Sequence, residues 1–119
     1  MKIVRSGEAS KEMVEHPLFT GPGVTRQELA PGSQEFNVNL VSFPQGVRNK
    51  FHAHSNEQVL IVIAGRGIVA SEEEEHEVTV GDVIVFSAGE KHWHGATADS
   101  DFAHIYVTQV GTETTQLED

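Results

Sequence analysis

The stretch Gly46–Gly65, "GVRNKFHAHSNEQVLIVIAG", decides how this chain is read. Side chains alternate faces along a strand, so His52 and His54 point the same way. Two imidazoles so placed can reach one ion at metal–nitrogen distances of about 2.0–2.1 Å. Gln58 follows His54 by four residues and opens the aliphatic run "VLIVI", Val59–Ile63, which suits a buried strand. A neutral amide thus stands where a carboxylate is the more obvious companion to a histidine pair.

Working outward, a second pair occurs in Gly81–Ala96, "GDVIVFSAGEKHWHGA", where His92 and His94 are again two apart and Trp93 between them faces the other way. His104 in "FAHIYV" shares a face with Phe102 and Tyr106. A lone histidine is more often a satisfied polar residue at a strand end than a ligand. Five of the seven histidines falling on three strand-like segments resist that explanation. His16, before Pro17, and His76, beside the acidic run Glu72–Glu75, are read as structural, because adjacent acids at a loop tip form a solvated turn.

No long helical period occurs. Short runs rich in Val, Ile and Phe recur between Gly, Pro, Asn and acidic punctuation, which predicts strands over Val24–Leu29, Phe36–Phe43, Gln58–Ala64, Gly67–Ser71, Glu77–Val80, Val83–Phe86 and Phe102–Gln109. That density of short strands implies an all-β sandwich or barrel. "LAPGSQEF" and "FPQG" read as turns, while "AGRG" and "SEEEEHE" bracket a hairpin. Residues 1–35 are expected to form an N-terminal arm with edge strands, 36–110 the barrel, and 111–119, "GTETTQLED", a flexible tail without apolar periodicity.

With 119 residues the chain has room for one domain and one modest core. Eight basic against eighteen acidic residues give a net charge of −10, which repels nucleic-acid phosphates and anionic lipid surfaces. Neither partner is expected, and the charge itself is read as solubility. Without cysteine, a metal site must use nitrogen and oxygen ligands. No apolar stretch approaches the roughly 18 residues of a membrane span or resembles a signal sequence, so a cytoplasmic location is expected.

The two quoted stretches resemble the two motifs of the cupins, single-domain β-barrels of jelly-roll (double-stranded β-helix) type that hold one divalent metal. Gly46, His52, His54 and Gly65 fit the first motif, with Gln58 at its glutamate position; Gly81, Gly89 and His92 fit the second, with Ser87 at its usual proline. Glu57 is the tempting substitute for the missing acid, but it breaks both motif spacings. The resemblance therefore implies His52, His54, Gln58 and His92 as metal ligands. An amide in place of the carboxylate leaves one more net positive charge, which makes a stronger Lewis acid. Manganese is the first expectation for the ion, with Fe, Ni, Co, Zn or Cu as alternatives.

Within the cupins, the pattern is similar to manganese-dependent hydroxynitrile lyases and to cupins associated with carboxymuconolactone decarboxylases, with Ala88 at the proline of "SPGEKHWHG". In the lyase-type members, the positions of His94 and His104 are active-site groups beside the metal, which implies catalytic roles for both. Three functions follow. The first is a lyase using His94 and His104 as proton carriers, with activity falling below pH about 6.5 if the base is an ordinary histidine. The second is a metal-dependent dioxygenase of quercetinase type. The third is a small-ligand-binding barrel, against which stand two extra polar groups in an apolar interior. A small-molecule substrate is expected, with a wall from Val38, Leu40, Phe51, Leu60 and Phe102. A homodimer is expected because exposed edges and a free N-terminal segment can be buried by exchange of a strand.

Overall fold

One strand, β5 (Gln58–Ser71), organises the molecule: its 14 residues belong to two sheets at once. The computed structural model describes residues 1–119 and contains no helix. Around β5 lie β1 (Glu12–Met13), β2 (Thr25–Glu28), β3 (Phe36–Phe43), β4 (His52–His54), β6 (Glu75–Thr79), β7 (Val83–Phe86), β8 (His92–Ala96), β9 (Phe102–Gln109) and β10 (Thr114–Gln116). The first half of β5 pairs with β9 and β7, in a sheet that continues through β3 and β2 to β1. The second half pairs with β6 and β8, in a sheet that continues through β4 to β10. Every pairing is antiparallel, and the result is an all-β cupin-type barrel.

The predicted strands at Gln58–Ala64 and Gly67–Ser71 are thus one element, and "AGRG" is a bend inside it rather than a turn. The register shifts between Val62 and Ala64, a bulge that lets the strand leave one sheet for the other. Gly65 makes the bend possible: its φ is +70°, and a Cβ there would run into the carbonyl oxygen of Asp101.

Between the sheets, Val24, Phe43, Leu60, Val62, Phe86 and Phe102 form the heart of the apolar core, each no more than 5% exposed. Such side chains contribute about 1.5–3 kcal/mol apiece. The histidine cluster sits against this core: the His92 ring stacks on Phe86 with centroids 3.8 Å apart.

The C-terminal residues differ from the flexible tail expected of them. Thr114–Gln116 pair with His54–His52, so β10 forms the outer strand beside the histidine pair. Glu118 then accepts two hydrogen bonds from the Arg48 guanidinium, at 3.2 and 2.9 Å, and one from the Phe51 amide at 2.8 Å. Period-2 alternation could not reveal this strand, because all three residues are polar and exposed and it is specified by backbone pairing alone. At the other end, β1 pairs with β2, and the Gln27 amide donates to the carbonyls of Ser6 and Ala9, which pins the N-terminal segment to the outside of the sheet.

Candidate metal centre

β4 and β8 are neighbours in register, with His52 directly opposite His92 and His54 on the same face of β4. The ligating atoms of His52, His54 and His92 all lie within 4.8 Å of one another, and all three residues are buried. Each ring is held from behind. His52 Nδ1 lies 2.7 Å from the Lys50 carbonyl, His92 Nδ1 2.8 Å from the Glu90 carbonyl, and His54 Nδ1 2.9 Å from Thr114 Oγ1. A carbonyl only accepts, so Nδ1 of His52 and of His92 carries the ring proton and Nε2 keeps its lone pair for the interior.

These residues fit a divalent ion. His92 Nε2 is buried without any hydrogen-bond partner, which is costly for a polar atom unless something else satisfies it. Gln58 Oε1 lies 3.1 Å from His54 Nε2. Two ligands of one ion at about 2.1 Å, set at right angles, stand about 3.0 Å apart, so the spacing suits joint coordination as well as a hydrogen bond. Gln58 is buried whereas Glu57 is exposed, which separates the two candidates for the fourth position.

Burial keeps the cluster neutral. It pushes His52 down to about 3, with the neighbouring His92 adding to the effect and the bond to Lys50 opposing it. Burial likewise takes His92 to about 4 and lowers His54. Near pH 7 all three therefore present lone pairs without first releasing a proton.

A second histidine pair faces the same space. His94, on β8, and His104, on β9, come from opposite sheets and meet edge to face, with ring centroids 4.8 Å apart. Asn49 holds His94 on both sides. Its Oδ1 accepts from the His94 amide at 2.8 Å, and its Nδ2 lies 3.2 Å from His94 Nε2. Donation from Asn49 requires an unprotonated Nε2, which places the ring proton of His94 on Nδ1. His104 is fully buried, and neither of its ring nitrogens has a hydrogen-bond partner. Burial pushes its pKa to about 4, opposed by the nearby Ile105 backbone, which favours the charged form without reaching hydrogen-bond geometry. Burial, with His104 beside it, also holds His94 well below its ordinary value. Both are neutral bases across the physiological range, and the ordinary histidine titration expected near pH 6.5 is displaced downwards.

His52, His54 and Gln58 share with His94 and His104 a cavity of about 230 Å³, behind whose wall His92 lies. Its wall is not the one expected: Val38 and Leu40 point out of the barrel, Phe51 packs under Lys91, and Leu60 and Phe102 are sealed in the core. Val14, Phe19, Val41, Phe43 and Tyr106 line it instead. On β3 it is Val41 and Phe43, of the opposite parity to Val38 and Leu40, that face the cavity, since successive residues of a strand alternate faces. Asn49, Thr114 and Arg26 escaped the sequence reading as well, because nothing local marks them and each reaches the site from a distant segment. His16 caps its own turn by accepting from the Leu18 amide, and His76 pairs with Glu74 on the surface, so neither joins the site.

Comparison with known proteins agrees with this geometry. The cupin-domain model Cupin_2 matches residues 39–118. The (R)-mandelonitrile lyase of Granulicella tundricola is 41% identical over 94 residues, which make up 78% of this chain and 65% of that protein, so the chain spans just under two thirds of that relative's length. A cupin-like protein from Thermotoga maritima superposes with a TM-score of 0.81 at 29% identity, covering 100% of this chain and 90% of that one. A polyketide cyclase from Streptomyces resistomycificus gives a TM-score of 0.83 over 100% of this chain and 88% of that one; at 19% identity it is a likeness of fold. With motif histidines converging between two sheets and the family model spanning the segment that contains them, the chain belongs to the cupin-domain family Cupin_2.

Proposed function

We propose that this protein is a metal-dependent lyase acting on a small hydroxyl-bearing molecule, with His52, His54, Gln58 and His92 holding the ion and His94 and His104 moving protons. The observation that carries the reading is the second histidine pair: two buried, neutral imidazoles face the cavity that the metal cluster also lines, and His104 has both nitrogens free. A structural metal site has no use for them. The name of the 41% identical relative points the same way.

A bound dication would supply Lewis-acid polarisation of the substrate oxygen, strengthened by the neutral Gln58. The imidazole and amide-oxygen set suits a borderline or hard ion, and manganese is our assignment. His104, with a free lone pair, takes the hydroxyl proton of a cyanohydrin-type substrate. The C–O bond becomes a carbonyl, and the adjacent carbon–carbon bond breaks with its electron pair leaving on cyanide. The His104 imidazolium then gives the proton it took from the hydroxyl to the departing cyanide, so that HCN leaves and His104 is restored. Neutral His94, oriented by Asn49, guides that transfer by donating a hydrogen bond from Nδ1.

The test is cleavage of a small aromatic cyanohydrin by metal-loaded protein, in air and under nitrogen. The expected result is turnover indifferent to oxygen and level from pH 7 to 5, declining toward pH 4 as His104 takes up a proton. Turnover of a flavonol that requires oxygen, without cyanohydrin cleavage, overturns the lyase in favour of a dioxygenase.

A further inference from the structure

We infer that the molecule bound in this cavity carries a carboxylate, and that Arg26 is the residue that selects it. The inference rests on the proposed function for the location of the reacting end and concerns the opposite end of the same cavity.

The register of the sheet places Arg26. It lies opposite Val41 on β3, and Val41 lies opposite His104 on β9, so the three share the inner face in one cross-strand row. Two strand spacings of about 4.8 Å set the Arg26 and His104 backbones about 10 Å apart, a span suited to a small molecule gripped at both ends. Among the residues lining the cavity, Arg26 is the one with a permanent charge, and no carboxylate lines it. Glu12 on β1 lies opposite Arg26 in the same row and pairs with it, but Glu12 stands outside the cavity lining, so within the cavity the charge of Arg26 has no acidic neighbour.

The guanidinium is only partly engaged. Its Nη2 meets Glu12 at 3.3 Å, a pair whose members are 39% and 59% exposed, and such surface pairs contribute little. Its Nε, by contrast, is buried and has no partner. Arginine's planar fork binds a carboxylate through two parallel N–H···O bonds, and an unsatisfied inward Nε is one prong of that fork. The ligand set at the far end is neutral, so a dication held there adds to the positive field rather than cancelling it. The interior therefore favours an anion, and Arg26 is the one permanently charged side chain there to receive it.

The experiment measures binding, not turnover, by calorimetry on the metal-loaded full chain. The probes are benzoate, phenylacetate and 3-phenylpropanoate, each against its neutral amide. At least one carboxylate is expected to bind about tenfold or more tighter than its amide, as suits a charge-assisted pair. Arg26→Gln should remove that preference with metal content unchanged, Arg26→Lys should retain part of it, and Glu12→Gln should leave it intact. A preference that persists in Arg26→Gln, or no carboxylate preference anywhere in the series, overturns the inference. Because no catalytic step is read, loss of the lyase assignment would leave this result standing, and the reverse also holds.

Discussion

The two faces of the sheet β7-β5-β9-β3 differ: the inner one mixes core apolar side chains with buried polar groups, while the outer one is largely aliphatic. Facing inward, Gln58, His104, Tyr106, Asn37 and Thr108 bring polar groups into the barrel. Facing outward, Val85, Val59, Val107 and Val38 lie side by side in one cross-strand row, and Val83, Ile61 and Ile105 in the next. Val83 and Val85 are 59% and 56% exposed. Phe43, Leu60, Val62, Phe86 and Phe102 on the inner face supply the burial that decides which way these strands face, at about 1.5–3 kcal/mol each. The difference teaches that the inner face admits buried polar groups among its core side chains, while the outer one leaves aliphatic side chains in contact with solvent.

The largest effect expected of breaking the inner face is loss of the ion. His52→Ala, His54→Ala and His92→Ala should each lose most bound metal by elemental analysis, while His16→Ala and His76→Ala, whose side chains lie outside the cluster, should match the parent. Gln58→Glu sharpens the point. A carboxylate ligates at least as well, so the metal should stay, and lower Lewis acidity should alter activity. A metal-free Gln58→Glu protein would place that residue outside the coordination sphere.

On the outer face the effect is on assembly. We propose a homodimer formed by two such faces, because copies each carrying a charge of −10 repel except where they meet through uncharged surface, and the aliphatic rows provide it. Val107→Asp should convert the dimer to a monomer in light scattering at micromolar concentration, with parent metal content. A parent that is already monomeric at that concentration contradicts the proposal.

Apolar residues on both faces also explain how much could be read from sequence. The strands Phe36–Phe43, Val83–Phe86 and Phe102–Gln109 were legible to the residue, because β-branched runs between turn signals mark strands whichever way they face. The histidine cluster was legible too, since His-x-His on a strand fixes relative facing by period alone. Which of Val38 and Val41 lines the cavity was not, because both faces are apolar in part and parity must come from pairing. β10 and the clasp of Glu118 on Arg48 depend on contacts 60 to 70 residues apart in the chain, beyond any local pattern. The partnership of Asn49 with His94 is of the same kind.

The division of labour within the inner face, ligands in one histidine group and proton carriers in the other, is tested most directly by one measurement on His104→Ala: metal content and cyanohydrin turnover determined on the same sample. His104 touches His94, Phe43 and Phe102 but makes no contact with the cluster in its ring packing, so removing it should leave the ion in place. The result expected is parent-level metal with turnover lowered by about 10²–10⁴-fold, the usual worth of a general base. Undiminished turnover with the metal still bound would contradict the account.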